Sequence, residues 1–400
     1  MPRISACLLA LAALILLGCG SSSPKPARQP TAAPTPPPAI SIARGAPIVI
    51  GVSAALGGDQ VSLGSDIADA AELAAADHGG TLRGHPLKVL RMDDRCADAE
   101  KAVAVARSLV QETALAGVIG PMCTTGAQAA DSVYEAAQVV HILPAATRSD
   151  LSQQGERFFF RTAWRDDFQA SVQAAYATGD LAVASAVLID DGGPYGKALA
   201  DAFTTVFEAD GGRVLARERV ERGTTDFSPV ARQVKSANPP LVVFEGLNPE
   251  GTLTLKALRE AGYAGKFLAP DGVLSVRDFI VTGGAVTDGA ILTGGAAPDE
   301  AFATRFRERF QRDAGTPFVL QSHDAVAALL AAVEAVAVEG ADGALVIDRG
   351  KLAEQLRSQV FAGLTGPIQF DEHGDRQGET PAQLGLRIYR VANGRFEVVR

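Results

Sequence analysis

Short apolar runs alternate with alanine-rich segments from Pro47 onward. The runs are rich in Val, Ile and Leu and are typical of buried strands, whereas the segments between them repeat apolar residues at helical spacing. Strands are predicted at 48–53, 87–92, 115–119, 139–143 and 158–161, with helices near 65–77, 97–111 and 125–138. Such an alternation indicates a parallel sheet covered by helices.

A second series of the same kind follows. Strands are predicted at 184–189, 213–219, 241–244, 266–269 and 290–293, with helices near 196–209, 226–235 and 249–261. Two long helices, 300–312 and 321–338, then follow each other without a strand and are expected to return to the first sheet. Short β segments within 366–371 and 385–400 end the chain.

The length of the chain favours two lobes. Four hundred residues exceed the roughly 250 to 300 that one hydrophobic core organises. We therefore predict an α/β fold with two doubly wound parallel-sheet lobes joined by a multi-strand hinge. Lobe 1 is expected to comprise 47–164 and 291–372, and lobe 2 to comprise 165–290 and 373–400.

The N-terminus predicts export and a lipid anchor. Arg3 precedes an apolar stretch of signal-peptide length, and Leu16-Leu17-Gly18-Cys19 looks like a bacterial lipobox. Residues 1–18 would then be a signal peptide, and Cys19 would carry the lipid; the alternative is an ordinary secretory signal. Seven prolines between residues 20 and 39 predict a solvated tether over 19–46. The folded part is expected on the outer side of a bacterial membrane.

Charge and motifs exclude several function classes. The 46 acidic and 37 basic residues argue against a nucleic-acid surface but leave small neutral or cationic ligands open. The sequence contains no G-x-S-x-G elbow, Walker motif or zinc-protease motif, so we predict a protein that is not an enzyme and has no metal or cofactor. Asp93 and Asp94 could form a carboxylate pair for a metal ion, but we interpret them as a solvated strand end.

Two cysteines are left for the folded part. Cys7 would leave with the signal peptide and Cys19 would carry lipid, so Cys96 and Cys123 remain. In an oxidising compartment two thiols favour a disulfide, although two free buried thiols are the alternative.

Ligands of open α/β sheets bind beyond the carboxyl ends of the strands, which singles out a few polar side chains. Thr124 and Thr125 begin a helix whose free N–H groups attract an anion, and Thr147 follows the neighbouring strand, so together they suit a carboxylate. Each threonine alone could simply cap its helix. Asp271 could receive an ammonium group from the opposite lobe, or could belong to an ordinary Pro-Asp-Gly turn. Tyr195 could offer its ring to a cation or an apolar ligand stem, or could be an ordinary half-buried tyrosine at a helix start.

Six segments with these residues resemble the leucine/isoleucine/valine-binding protein family, the type I periplasmic receptors of branched-chain amino-acid ABC transporters. The resemblance runs from about Ile48 to Tyr389. The segments are DDRCADAEKAVAVARSLV (93–110), GPMCTTGAQ (120–128), LPAAT (143–147), FFRTAWRDD (159–167), DGGPYGKAL (191–199) and LAPDGV (268–273). Their order and spacing make the resemblance specific.

The resemblance implies a role for several residues. Thr124 and Thr147 would hold the ligand's carboxylate, whereas the carbonyl group of Ala145 and the carboxylate of Asp271 would hold its ammonium group. Tyr195 matches the family's cleft tyrosine. The family's disulfide corresponds to Cys96 and Cys123, and it would fix the turn that presents Thr124.

Four residues depart from or adjust the family's pocket. Leu63 and Leu247 stand where the family has aromatic side chains, and with Met122 they would form a more aliphatic pocket, compatible with leucine-like and other small amino acids. Asp271 is one methylene shorter than the glutamate that is usual in the family.

The function that the resemblance implies is a lipid-anchored substrate-binding protein of an ABC transporter. It would bind a small amino acid between its lobes and deliver it to membrane permease subunits, and a monomer is expected. The alternative is a ligand-sensing receptor of the same fold, for another small amino acid or an amide, that acts with a signalling partner. A dehydrogenase-like enzyme lacks the phosphate-binding fingerprint.

Overall fold

The computed structural model describes residues 39–378 and 380–399. The strands are β1 (Ala39–Ile42), β2 (Ile48–Ala54), β3 (Thr81–Leu82), β4 (His85–Asp93), β5 (Leu115–Ile119), β6 (His141–Leu143), β7 (Phe159–Arg161), β8 (Ser185–Asp190), β9 (Arg213–Arg219), β10 (Leu241–Glu245), β11 (Lys266–Ala269), β12 (Ile291–Gly295), β13 (Val338–Glu339), β14 (Leu345–Asp348), β15 (Phe361–Gly363), β16 (Gly366–Ile368), β17 (Leu386–Ala392) and β18 (Arg395–Val398). The α-helices are α1 (Val61–Asp77), α2 (Ala99–Leu109), α3 (Thr124–Ala136), α4 (Asp166–Ala175), α5 (Pro194–Ala209), α6 (Ser228–Ala237), α7 (Glu250–Glu260), α8 (Glu300–Phe310), α9 (Val319–Val336) and α10 (Arg349–Ser358).

The first sheet has six strands in the order β3-β4-β2-β5-β6-β7. All its pairs are parallel except β3 with β4. Every residue of β2 is buried, because α1 and α9 cover one face of the sheet while α2 and α3 cover the other. Helix α9 is apolar around most of its circumference because it is surrounded by α1, α10 and β5.

The second sheet has seven strands in the order β18-β17-β12-β11-β10-β8-β9. Its parallel part runs from β12 to β9, and β17 and β18 add an antiparallel edge. Helices α4 and α5 pack on one face, and α6 and α7 pack on the other. Two sheets with helices on both faces are the predicted α/β fold, which is confirmed.

Three segments pass between the two sheets: β7 to α4, β12 to α8, and β16 to β17. Backbone hydrogen bonds join them, from Arg161 N to Gly374 O at 2.8 Å and from Ala296 N to Gly385 O at 2.7 Å. The carboxyl ends of the parallel strands in both sheets therefore lie near the crossings, where the predicted ligand residues are found.

Two predicted boundaries change. Ala39–Ile42 is a strand that pairs with Leu345–Asp348, and Ile40 and Ile42 are buried, so residues 39–42 belong to the fold and not to the tether predicted over 19–46. Ile291–Gly295 pairs with β11 and β17, which places it in the second sheet, although lobe 1 was expected to begin again at residue 291. The other lobe boundaries stay a prediction. The predicted signal peptide and Cys19 lie outside the described residues.

Candidate functional site

Two buried threonines follow neighbouring strands of the first sheet. Thr124 is the first residue of α3, after β5, and Thr147 lies shortly after β6. Cys123, the residue before α3, makes no side-chain capping hydrogen bond, so the first N–H groups of the helix stay available. An N-terminus of this kind carries partial positive charge and can bind a carboxylate.

The turn before α3 is fixed by covalent and polar contacts. Cys96 and Cys123 form a disulfide, as predicted. Gly120 has a φ of +110°, and a Cβ atom there would lie 2.2 Å from the carbonyl oxygen of Ser53, so only glycine fits this close approach. The Asp94 carboxylate accepts hydrogen bonds from Ser53 Oγ at 2.8 Å and from Cys96 N at 3.0 Å. Asp94 is thus buried and bonded, and its interpretation as part of a solvated strand end is wrong.

Tyr195 and Asp271 meet at the carboxyl edge of the second sheet. Tyr195 is near the start of α5, Asp271 follows β11, and the tyrosine hydroxyl donates a hydrogen bond to Asp271 Oδ1. Burial raises the pKa of Asp271 to about 7, and the Tyr195 hydroxyl limits the rise. Within the described part of the chain, Asp271 Oδ2 has no hydrogen-bond partner. A cationic donor could therefore bind to it.

Asp166, at the start of α4, joins the two lobes of the site. Its backbone N–H donates to the Thr147 carbonyl at 2.8 Å, and its carboxyl group interacts with the Thr147 hydroxyl. Neither carboxyl oxygen receives a well-aligned hydrogen bond from the described residues. Burial raises the pKa of Asp166 to about 8, and the nearby Asp271 carboxylate adds to the rise. Both acids would be stabilised by a positive charge placed between them.

Glu245, the last residue of β10, is a third buried acid in the same region. Burial raises its pKa well above the ordinary value, and the Asp166 and Asp271 carboxylates raise it further. Among the described residues, no group of three or more His, Cys, Asp or Glu side chains is arranged to hold a metal ion. The three carboxyl groups Asp166, Glu245 and Asp271, called the acidic cluster below, thus fit an organic cation better than a metal.

Apolar side chains adjoin the polar groups. Leu63, Met122 and Ala145 are buried in the core of the first lobe, and the half-buried Leu247 of the second lobe packs against that core. The predicted aliphatic residues therefore belong to one hydrophobic core or pack against it.

A cavity of about 370 Å³ opens between the lobes at this point. Its lining includes Thr124 from the first lobe and Tyr195 and Leu247 from the second, whereas Thr147, Asp271 and the other predicted ligand-binding residues lie outside this lining. A volume of this order suits a small metabolite.

The lobes also touch directly beside the cavity. Gln60 Nε2 donates to the Asn248 carbonyl at 2.5 Å, and the Arg222 guanidinium lies 3.7 Å from the Asp59 carboxylate across the gap. Arg222 also lies 3.8 Å from Asp191 in its own lobe. The structure therefore has the cleft in a closed arrangement.

Of the predicted site, the structure brings Thr124, Tyr195 and Leu247 to one cavity and joins Asp271 to Tyr195, and two buried acids were not predicted. Asp166 lies within the FFRTAWRDD segment, although no role was inferred for it. Glu245 ends an otherwise apolar strand, and a charged residue at the carboxyl end of a buried strand is the signal that could have revealed it. The ligand-binding role of all these residues stays a prediction.

The family model described as "Periplasmic binding protein" matches residues 47–395. The chain belongs to the periplasmic binding protein family. The predicted resemblance to leucine/isoleucine/valine-binding proteins is confirmed by curated relatives of this family. The Leu/Ile/Val-binding protein of Escherichia coli K12 is 28% identical over 338 residues, which cover 83% of this chain and 88% of the relative. The amino acid binding protein of Pseudomonas aeruginosa PAO1 is 30% identical, with coverages of 82% and 87%.

Solved periplasmic binding proteins share the fold. The branched-chain amino acid transporter substrate-binding protein LivJ of Streptococcus pneumoniae, solved with isoleucine, has a TM-score of 0.78 at 22% identity and covers 88% of this chain and 99% of its own. A solute-binding protein of an ABC transporter from R. palustris, solved with benzoate, has a TM-score of 0.76 at 19% identity, with coverages of 88% and 95%. One fold therefore accommodates both an amino acid and an aromatic acid, and the ligand must be argued from the side chains of the cleft.

Proposed function

We propose that this protein is an extracytoplasmic substrate-binding lipoprotein of an ABC transporter that binds a small aliphatic amino acid between its lobes. The observation that carries the proposal is the opposite chemistry of the two ends of the cleft. The N-terminus of α3 with the Thr124 hydroxyl group comes from the first lobe, and Asp271, whose Oδ2 has no hydrogen-bond partner among the described residues, comes from the second. A zwitterion has the complementary pair of charges.

The first end suits the ligand's carboxylate. Thr124 contributes a hydroxyl and an N–H at the start of α3, and Thr147 contributes a hydroxyl from the next strand. Hydrogen bonds to a charged partner contribute about 1.5 to 3 kcal/mol each. Loss of one of them would reduce affinity by about tenfold or more.

The second end suits an ammonium group. Among the described residues, Asp271 Oδ2 and both oxygens of Asp166 lack well-aligned donors, and both acids adjoin the second sheet, at the start of α4 and after β11. A ligand that carries a carboxylate without an ammonium group would leave these acids unpaired. This argues for an amino acid over benzoate-like acids, although the fold accommodates both.

The side chain of the ligand would contact Leu63, Met122 and Leu247. These three side chains are apolar, and only the Met122 sulfur could accept a hydrogen bond from a polar ligand side chain. That sulfur already accepts a hydrogen bond from Ala55 N at 3.4 Å. Leucine, isoleucine, valine and alanine are therefore the ligands to test first.

Delivery to a permease and the lipid anchor complete the proposal. Curated relatives that match most of the chain are amino-acid-binding proteins, and the Leu16-to-Cys19 segment has the form of a lipobox. The mature protein would hang from a bacterial membrane by Cys19, and the closed lobes would present the ligand to membrane subunits.

The test is calorimetric titration of the ligand-free protein with leucine, isoleucine, valine, alanine and benzoate. We expect binding of at least one amino acid and none of benzoate. Thr147→Ala and Asp271→Asn should each weaken amino-acid binding by at least tenfold, about 1.4 kcal/mol. Unchanged affinity in both variants, or binding of benzoate alone, would contradict the proposal.

Matched controls are available at exposed positions in and just after α5. Thr205→Ala and Asp210→Asn make the same chemical changes at exposed positions remote from the cleft. Neither control should change affinity. A loss of binding in the controls as well would indicate damage to the fold and not loss of ligand contacts.

A further inference from the structure

The Asp191 carboxylate ties two segments of the second lobe together. Asp191 follows β8, is 2% exposed and accepts a hydrogen bond at each oxygen. Its Oδ1 atom accepts from Gly193 N at 2.9 Å, and its Oδ2 atom accepts from Leu247 N at 3.1 Å. Gly193 is the residue before α5, whereas Leu247 follows β10, the strand beside β8. One side chain therefore joins the segments that follow two neighbouring strands.

The two hydrogen bonds differ in kind. The bond from Gly193 closes a local turn that aspartate and asparagine both form. The bond from Leu247 joins residues that are 56 positions apart. Asn248, the next residue, is held separately, because its N–H donates to the Gly272 carbonyl at 3.1 Å and its Nδ2 atom donates to the Val273 carbonyl at 2.9 Å. Loss of the bond from Leu247 would therefore release that residue without opening the whole loop.

Leu247 and Tyr195 form one wall of the cleft over Gly272. A Cβ atom on Gly272 would lie 2.6 Å from Leu247 Cδ2 and 3.1 Å from Tyr195 Cε1, so both side chains pack directly on this glycine. Leu247, Tyr195 and Asp191 line the same cavity as Thr124 of the first lobe. The position of Leu247 relative to Tyr195 therefore helps to set the room for a ligand side chain.

The Asp191 carboxylate is already engaged within its own lobe. Besides the two backbone donors, Arg222 Nη1 lies 3.8 Å from its Oδ2 atom. A Cβ atom on Gly246 would lie 2.6 Å from the Cβ and Cγ atoms of Asp191, so the backbone after β10 packs directly against the side chain. Asp191 is thus placed to act on a ligand through Leu247 and not through an ion pair of its own.

We propose that Asp191 is a positioning residue that gives the cleft its selectivity for the size of the ligand's side chain, because it fixes Leu247 against Tyr195. A hydrophobic pocket distinguishes ligands that differ by one methylene group by about 10- to 200-fold. A wall that can move gives up part of this discrimination. The inference rests on the proposed amino-acid function, to which it adds the residue that holds the wall of the pocket.

The test is calorimetric titration of the wild type and Asp191→Asn with leucine and with alanine. Both ligands carry the same carboxylate and ammonium groups, but only leucine offers a branched side chain to Leu247. Asparagine can keep the local bond from Gly193 through its amide oxygen, but it then turns its NH2 group, which is a donor, towards Leu247 N–H. The wild type should prefer leucine, and the ratio of leucine to alanine affinity should fall about fivefold or more in the variant, with alanine affinity unchanged.

Asp190→Asn is the matched control. Asp190 is also buried and also accepts a local bond, from Gly192 N at 3.0 Å. Its long-range donors are Arg217 Nε at 3.0 Å and Arg219 Nε at 2.9 Å, on β9, which lies on the opposite side of β8 from β10. The control makes the same chemical change at a buried acceptor, so it should lower stability without changing the ratio of leucine to alanine affinity.

A double-mutant cycle shows whether Asp191 acts through Leu247. Asp191→Asn should leave the ratio unchanged in a Leu247→Ala background, because the side chain that it positions has been removed. The inference would be overturned by an unchanged ratio in Asp191→Asn alone, by an equal fall in Asp190→Asn, or by a further fall of the same size in the Leu247→Ala background.

The hydrogen bond itself can be tested in the wild type, without regard to the folding of any variant. Amide exchange measured by NMR should find the Leu247 N–H protected, because its acceptor is a buried carboxylate, and rapid exchange there would overturn the inference. A wild type that binds no amino acid would refute the proposed function and with it this role of Asp191. An unchanged ratio in Asp191→Asn beside a leucine-binding wild type would refute the role of Asp191 alone.

Discussion

The buried Asp166 carboxyl group should lower the free energy of unfolding of the ligand-free protein as the pH rises, and replacement of Asp166 by asparagine should remove this contribution. Its pKa is raised from 3.8 to about 8 in the folded protein, chiefly by burial. A carboxyl group with a raised pKa binds its proton more tightly in the folded state than in the unfolded state. Between these two pKa values the folded state holds more protons, so the free energy of unfolding falls as the pH rises.

The size of the effect follows from the same shift. Each pH unit in this window reduces the free energy of unfolding by up to ~1.4 kcal/mol for one group, so the change from pH 5 to pH 8 amounts to at most ~4 kcal/mol. Water entry and local relaxation reduce the penalty of a buried charge. We therefore expect Asp166→Asn to lose about 2 to 4 kcal/mol less than the wild type over this range, because asparagine does not titrate.

The assay is urea unfolding of both proteins at pH 5 and pH 8, after unfolding and refolding to remove any bound metabolite. Bound ligand would stabilise the folded state by mass action and hide the effect. Asp210→Asn, at an exposed position, is the control and should follow the wild type. Parallel pH profiles for the wild type and Asp166→Asn would refute the argument that burial of this carboxyl group dominates its energetics.

Two further predictions concern the support of the site and its attachment. Asp375→Asn removes the carboxylate that accepts bonds from Arg161 Nε at 2.8 Å and Nη2 at 2.5 Å, while Arg161 Nη1 also holds the Arg148 carbonyl at 2.7 Å beside Thr147. Because one partner of a buried ion pair is lost, we expect the free energy of unfolding, measured with urea, to fall by about 3 to 5 kcal/mol. Calorimetry should also show weaker leucine binding. Lower stability with unchanged affinity would show that the pair supports the fold but not the site. Cys19→Ser should move the protein from the membrane fraction to the soluble fraction on cell fractionation, and a variant that stays with the membranes would contradict the lipid anchor.

Elements that are buried on both faces could be predicted well from the sequence. Strand β5 occupies 115–119 as predicted, because five consecutive apolar residues bounded by turn residues have few other interpretations. Strand β1 was missed because its four residues follow a proline-rich stretch and are fixed only by pairing with Leu345–Asp348, about 300 residues away along the chain. Such a partner leaves no local signal.

The polar site could be predicted only in part. Thr124, Thr147 and Asp271 each follow a strand, so their places could be inferred residue by residue. The acidic cluster could not, because it depends on how α4, β10 and β11 approach one another, and because the burial of a carboxyl group is a property of the assembled lobes. The hydrogen bond from Tyr195 to Asp271 could not be predicted either. The sequence indicated only that the Tyr195 ring could contact a cation or the apolar stem of a ligand.

The pairing of β1 with β14 has a mechanical consequence. Because Ile40 and Ile42 are embedded in the core of the first lobe, a force applied to the chain at Ala39 would act on that lobe. The second lobe has no such attachment among the described residues apart from the three crossings. If Cys19 carries the proposed lipid anchor, the first lobe would be held at the membrane. The second lobe could then move towards it and away from it, so the anchor would not hinder closure of the cleft.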